Sequence, residues 1–150
     1  MPLLPKADVV ITGYSTCDQP VLMRYDATLI AHTPEPRLEA GVPVCYLNER
    51  GDTIVPYGRY KFCQTDTIKG IGFVYEDKPR DARIVCINDA GKKLFYVVEC
   101  DNGPDYVKEG LFRIMDEKGL MGFADSSGHI IITPQFKFAY PFEGGKAKVT

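Results

Sequence analysis

The sequence predicts an all-β fold: three degenerate β-repeat units of short antiparallel strands, arranged as stacked hairpins or meanders, with a divergent N-terminal cap. Three observations lead to this prediction. Short apolar segments rich in β-branched residues recur, glycine-containing turns separate them, and the turn glycines keep a nearly constant spacing. Branched side chains pack well on a pleated surface, and glycine accepts the backbone conformations that tight turns require.

The stretch KGLMGFADSSGHIIITPQFKFAYPFEGGKAKV, residues 118–149, shows the pattern most clearly. Its DSSG segment predicts a hairpin turn, because Asp and Ser bond the local backbone and Gly tolerates a positive φ. The next strand is predicted to span residues 129–133 and to stop at Pro134, which has no N–H to donate. Four aromatic residues then occupy every second position, which predicts one buried face: Phe136, Phe138, Tyr140 and Phe142.

The same two landmarks occur twice more in the preceding sequence. A first glycine follows an Asn or Asp by three positions, and a second glycine opens a later strand; the pairs are Gly51 and Gly70, Gly91 and Gly110, and Gly128 and Gly145. One such meander cannot bury its apolar face alone, so neighbouring units must stack. We therefore predict repeat units at 44–74, 84–114 and 121–149.

Residues 1–43 fit the repeat less well. ADVVITG and VLMRYDATLIAH are predicted strands, and the second has Asp26 in the turn position of a shortened unit that caps the array. We predict that residues 1–150 form a single β-repeat domain. The sheet is expected to be open or closed by a dimer, because three units are fewer than propellers use.

One segment has two interpretations. Residues 105–119 place Val107, Leu111, Ile114 and Met115 at helical spacing. Gly110 would weaken such a helix by about 1 kcal/mol. The repeat register predicts a strand over 111–115 instead, and we follow the register.

Composition excludes several function classes. Eighteen basic and twenty acidic residues give a net charge of −2, so no basic excess indicates nucleic acid or anionic lipid as a partner. No apolar stretch is long enough to span a membrane and no signal peptide is recognised, so we expect a cytoplasmic location, or a periplasmic or surface one if a leader was removed. Five cysteines without a C-x-x-C pair predict buried apolar residues rather than a disulfide framework or a zinc site: Cys17, Cys45, Cys63, Cys86 and Cys100.

Candidate catalytic groups are few, and we predict no enzyme activity, no cofactor and no metal. His129 beside Asp125, Ser126 and Ser127 is the nearest approach to a hydrolase cluster, but residues of one hairpin tip rarely converge as catalysis requires. The Asn and Asp turns carry too few oxygens for a calcium site.

The third unit carries a specific pattern over about thirty positions: Gly119, Gly122, Phe123, Asp125, Gly128, Ile130 to Ile132, Pro134, Phe136, Phe142, Gly145, Ala147 and Val149. In this pattern the unit resembles the WG repeat, a Trp-Gly β repeat of many bacterial proteins. It departs from the family at the tryptophan, where Met121 stands, with Val44 and Ile84 at the equivalent positions of the other units.

The resemblance implies a binding or scaffolding module with no catalytic residues. The last strand of the third unit is predicted to leave an open edge at Ala147 to Thr150, and exposed edges attract other strands. We expect the chain to bind a protein partner, or itself, through Ala147 and Val149. The alternative is a small-ligand or glycan-binding domain in which Tyr57, Tyr60 and Tyr140 face solvent and stack on sugar rings. Burial of those rings distinguishes the two.

Overall fold

The computed structural model describes residues 9–11, 28–33, 44–76 and 83–150, and these residues form strands, turns and loops without a helix. The all-β prediction is confirmed. The described strands are β1 Val9–Ile11, β2 Thr28–His32, β3 Cys45–Leu47, β4 Thr53–Val55, β5 Phe62–Cys63, β6 Thr67–Lys69, β7 Ile71–Glu76, β8 Arg83–Asn88, β9 Lys93–Val97, β10 Glu99–Cys100, β11 Gly103–Pro104, β12 Leu111–Met115, β13 Met121–Asp125, β14 Ile130–Phe136 and β15 Ala147–Val149.

The chain divides into two compact units, one of residues 23–104 and one of residues 1–22 with 105–150. The prediction of one domain over residues 1–150 stays a prediction.

In the unit of residues 23–104, consecutive antiparallel pairings join β4 to β3, β3 to β2, β2 to β6, β6 to β7, β7 to β8 and β8 to β9. Strand β5 adds to β7, and β10 pairs with β11. The interior side chains are mostly branched aliphatic, which suits strands that are covered on one face. The most buried include Leu29, Tyr46, Ile68, Val74, Val85 and Ile87.

In the compact unit of residues 1–22 and 105–150, β13 lies between β12 and β14, and β15 pairs with β1. Three isolated β-bridges are also described, between Lys108 and Leu111, Ala139 and Val149, and Glu143 and Lys146. Its core combines rings and small side chains: Phe112, Ile114, Phe123, Ala139, Phe142 and Val149 are all at most 4% exposed.

One turn geometry recurs four times in the described residues. The side-chain Oδ1 of an Asn or Asp accepts the N–H groups two and four positions further along at 2.9–3.0 Å. The glycine three positions along has a φ between 77° and 88°, which L-residues with a Cβ rarely adopt. These turns begin at Asn48, Asn88, Asp116 and Asp125. Three were predicted; the turn from Asp116 to Gly119 was not.

The three predicted repeat hairpins also share a strand irregularity. In each, the second strand has one extra residue at the same distance from the turn, so a β-bulge sits at equivalent positions. The extra residues are Ile54, Leu94 and Ile131. The extra residue is Ile in two hairpins and Leu in the other, so both the bulge and its branched aliphatic side chain recur.

Two local predictions need correction. Strand β14 does not stop before Pro134 but runs to Phe136. An edge strand tolerates a proline because the missing N–H faces no partner. The four alternating aromatics do not share one buried face: Phe142 is buried, Phe136 and Phe138 are half-buried and Tyr140 is exposed. The strand ends at Phe136, so the period of two does not continue through the set.

Candidate interaction surfaces

The predicted aromatic site residues have different environments. Tyr57 is 48% exposed and Tyr140 37% exposed, whereas Tyr60 is only 6% exposed. Tyr60 is therefore a core residue, and its ring is not free to stack on a ligand. Tyr57 and Tyr140 belong to different compact units. Because Tyr60 is buried, the three rings do not all face solvent as predicted.

The predicted open edge at β15 is occupied in the structure. One flank of β15 pairs with β1, in the register Val9↔Val149 and Ile11↔Ala147. On the other flank, Tyr140 N–H donates to Lys148 O at 2.9 Å, and Thr150 N–H donates to Phe138 O at 2.9 Å. Ala147 and Val149 are 1% and 0% exposed. These two side chains are part of the core and do not face a partner, which corrects the prediction of an open edge there.

Strand β14 is an edge strand with one unpaired side. Among the described strands β14 pairs only with β13. None of its seven residues is buried, although four are large and apolar: Ile130, Ile131, Ile132 and Phe136. The strand carries no charged residue, and Pro134 is the one edge-protecting residue within it. Because monomeric proteins rarely leave such a strand uncovered, β14 is the strongest candidate interaction surface.

A pair of aromatic residues follows β14 in the chain; Phe138 is half-buried and Tyr140 is exposed. The rings of Phe138 and Tyr140 meet edge to face, with centroids 4.9 Å apart. Ala139 between them is fully buried, so the two rings lie on the outer face of this segment. Lys148 pairs through its carbonyl with Tyr140 N–H and is itself exposed. Two rings beside a lysine form a small amphipathic patch.

Tyr60 and Tyr96 lie among charged side chains in the unit of residues 23–104. Lys93 Nζ donates to Tyr96 Oη at 2.7 Å and to Glu76 Oε2 at 3.1 Å. The Arg59 guanidinium stands 4.7 Å from the centre of the Tyr60 ring. Burial lowers the pKa of Lys93, but the hydrogen bonds from its ammonium to Tyr96 and Glu76 outweigh it, so the pKa ends above its usual value. A lysine held protonated in this way is a structural cation rather than a nucleophile.

A buried ion pair was not foreseen from the sequence. Arg113 on β12 donates through Nε and Nη2 to the two carboxylate oxygens of Asp105, at 3.0 and 2.8 Å. Its backbone N–H also donates to Asp105, and Nη1 donates to Ala139 O at 3.2 Å. Four hydrogen bonds from Arg113 therefore link β12 to the loop segments that contain Asp105 and Ala139. The sequence of β12, LFRIM, did not indicate the pair, because a charged residue within a strand is ordinarily assigned to the solvent-facing side.

The candidate catalytic histidine has a structural contact. His129 Nδ1 lies 3.4 Å from Asp125 Oδ2, and the other oxygen of Asp125 accepts the Ser127 and His129 backbone N–H groups. The carboxylate thus holds the turn together. In the part of the chain that the structure describes, no group of three or more His, Cys, Asp or Glu is placed to hold a metal ion.

The described cysteines are free, and three of them are buried: Cys45, Cys63 and Cys86. Burial raises the pKa of the Cys86 thiol to about 12 and raises that of Cys63 as well. Reactive cysteines have lowered pKa values, so these two thiols are not poised for chemistry. Cys17 lies outside the described residues.

Comparison with known proteins found one family model that matches part of the chain. Residues 121–150 match the family model of the WG containing repeat. This match confirms the resemblance for the third predicted repeat unit, residues 121–149. No curated protein and no solved structure was similar enough to the chain to count as a match. No helix in the described ranges is long and apolar enough to cross a membrane.

Proposed function

Because residues 121–150 carry a WG repeat, we propose that the chain is a non-enzymatic interaction module that binds a protein partner through the edge of β14. The observation that carries this proposal is a seven-residue, uncharged edge strand with no buried residue. An extended segment of a partner can add to such an edge through main-chain hydrogen bonds. Alternate side chains of β14 then supply the specificity.

The side-chain chemistry of β14 favours an apolar partner strand. Ile130 is 49% exposed at the start of the strand, beside the 125–128 turn. Thr133 and Gln135 are exposed polar residues without charge. A partner that supplied an extended, β-branched segment would cover Ile130 without leaving a charge unpaired.

A charge on the edge tests the proposal. Ile130→Lys places a strongly hydrated ammonium where the added strand would lie, as natural proteins do to protect edges. Val107→Lys is the matched control, since Val107 is 51% exposed in the same compact unit but outside a strand. Both variants should unfold within about 0.5 kcal/mol of wild type, because surface changes rarely cost more.

Affinity capture from a native lysate with the three proteins as bait gives the readout. We expect a defined protein that wild type and Val107→Lys retain and that Ile130→Lys loses. Equal capture by Ile130→Lys would contradict binding through β14. A turnover that a single polar substitution abolished would contradict the non-enzymatic part.

A second candidate function is binding of a small ligand or glycan, which the exposed Tyr140 ring and the half-buried Phe138 ring beside it favour. Sugar rings stack on aromatic faces through their C–H groups, and the nearby Lys148 offers a hydrogen-bond donor. A glycan screen should then show a ligand that Tyr140→Ala loses and Tyr106→Ala keeps, since Tyr106 is 55% exposed elsewhere in the unit. No difference between the two variants would exclude this patch.

A further inference from the structure

Three cationic side chains contact two tyrosine rings within one compact unit. The guanidinium carbon of Arg59 lies 4.7 Å from the centre of the Tyr60 ring. The guanidinium carbon of Arg83 and Lys93 Nζ lie 5.1 Å and 4.1 Å from the centre of the Tyr96 ring. At each of these distances the face of a ring attracts a cation. The two rings therefore help to fix where the three positive charges lie.

Strand register brings Arg83 and Tyr96 to the carboxylate of Glu76. Glu76 is the last residue of β7, and its register partner is Arg83, the first residue of β8. Tyr96 Oη donates to Glu76 Oε1 at 3.4 Å, and Lys93 Nζ donates to Glu76 Oε2 at 3.1 Å. Glu76 is therefore an anion that these three side chains share.

Tyr60 approaches Glu76 from the other flank of β7. Strand β5 pairs with β7 on the flank opposite β8, and the residue after Tyr60 donates its N–H to the carbonyl of the residue before Glu76 at 2.8 Å. Burial raises the pKa of Tyr60; the charge of Arg59 lowers it, that of Glu76 raises it and that of Lys93 lowers it. All three charges thus act on one ring, so Arg59 belongs to the same group. We call this group the cation cluster: Arg59, Tyr60, Glu76, Arg83, Lys93 and Tyr96.

The cation cluster has more positive than negative charge. Its two arginines and one lysine face a single carboxylate, that of Glu76, which leaves a net charge of two. Glu76 forms its ion pair with Lys93. Arg59 and Arg83 are exposed, and neither guanidinium has an ion pair or hydrogen bond with the described part of the chain. Their N–H donors are therefore open to a ligand.

From this arrangement we propose that the cation cluster binds an oxyanion of the phosphate type, carried by a small ligand. A phosphate ester has a charge of about −1.5 to −2 near neutral pH, which balances the excess. A planar guanidinium presents paired N–H groups that match two phosphate oxygens. A single carboxylate would leave part of the positive charge uncompensated.

Inorganic phosphate is the probe that tests the site. It is titrated into the ¹⁵N-labelled full-length protein at constant ionic strength, because salt screens exposed charges. We expect saturable shifts of the arginine Nε–Hε signals of Arg59 and Arg83. Arg83→Gln should weaken phosphate binding about tenfold or more, because hydrogen bonds between charged groups are lost. Arg59→Gln should act in the same direction.

Arg50→Gln is the matched control, since Arg50 is exposed in the same compact unit and its loss removes the same charge. It should keep the wild-type affinity. Equal weakening by Arg50→Gln and Arg83→Gln would show attraction to overall charge and overturn the proposal, as would shifts that never saturate. The dicarboxylate succinate is the comparison anion, and binding as tight as that of phosphate would contradict the phosphate class.

Phosphate binding and the β14 edge are tested independently. Ile130→Lys should leave the phosphate titration unchanged, because Ile130 belongs to the other compact unit. Arg83→Gln should likewise keep the protein partner that the edge of β14 captures. Failure of one proposal is therefore distinguishable from failure of the other.

Discussion

Single residues explain two positions of the WG-type unit. A Cβ added at Gly122 would lie 2.6 Å from Pro134 N and 2.8 Å from Thr133 C. The backbone of β14 therefore passes directly over this glycine, and no side chain fits between. Met121, which stands at the tryptophan position, is buried, and its Sδ accepts the Ala139 N–H at 3.4 Å. The thioether thus gives a buried donor a partner, which an indole ring cannot do.

Gly122→Ala is expected to destabilise the protein by about 2–3 kcal/mol, because the obstructing atoms are backbone and cannot rotate away. Urea unfolding followed by fluorescence measures the change. Gly103→Ala is the control: nothing lies within 4 Å of its added Cβ. That variant should stay within about 0.5 kcal/mol of wild type. Equal effects of the two substitutions would contradict the close approach of β14.

Alkaline pH should weaken the fold through its buried thiols. The pKa of Cys86 is raised from 9.0 to about 12 by burial, so above pH 9 the unfolded chain loses a proton that the folded chain keeps. Stability is then fully present below pH 9 and falls as pH rises toward 12, by up to about 1.4 kcal/mol per pH unit. Unfolding free energies measured at pH 8 and pH 10 should differ less in Cys86→Val than in wild type. An unchanged difference would show that the pKa of this thiol is the same in the folded and unfolded states, which would contradict the prediction.

At the scale of elements, the sequence predicted most strands and turns but not the buried polar contacts between them. The strand at 111–115 was correctly preferred to a helix, because the repeat register outweighed the helical spacing of Leu111 and Met115. The turn at Asp116 was not predicted, because each repeat unit was expected to contain one Asn or Asp turn. Tyr60 and Arg113 are both buried against the local pattern. Their places depend on partners distant in sequence, which periodicity does not detect.

The buried pair of Arg113 and Asp105 gives a prediction about how β12 holds its loops. Asp105→Ala should cost about 3–5 kcal/mol, because it leaves a buried guanidinium without its carboxylate. Arg113→Met alone should also destabilise, whereas the double variant should cost clearly less than the sum of the two. A double-mutant cycle in urea measures this coupling.

The control for that cycle is the more exposed pair of Lys93 and Glu76, whose side chains are 32% and 14% exposed. Lys93→Met should cost about 1 kcal/mol or less. If the losses of unfolding free energy in the Asp105 and Arg113 variants were additive, the two residues would not stabilise the fold as a pair.

At the scale of the whole molecule, backbone geometry repeats where side chains do not. The turns that begin at Asn48, Asn88 and Asp125 share one hydrogen-bond pattern, and each hairpin bears its bulge at the same place. The side chains between the landmarks can vary as long as three features are kept. These are the Asn or Asp Oδ1 that accepts the turn N–H groups, the glycine with a positive φ, and the strand register. This explains why the landmark spacing was visible in the sequence while the residues between the landmarks had diverged.

Substitution of the turn glycines tests whether equivalent positions respond equally. Gly51 and Gly119 both have φ of 84° and nothing within 4 Å of an added Cβ. Changing either to Ala should therefore cost a similar amount, about 1–2 kcal/mol, from the left-handed backbone alone. Gly91 has the same turn, but its added Cβ would lie 3.0 Å from Ile54 Cγ2 and from Val55 Cγ2. Gly91→Ala should cost about 1 kcal/mol more, because these side chains must also shift. Denaturant unfolding measures the three free energies. If the losses in Gly51→Ala and Gly119→Ala differed by more than the additional loss expected for Gly91→Ala, the turns would not share one geometry, because backbone strain would no longer account for both losses.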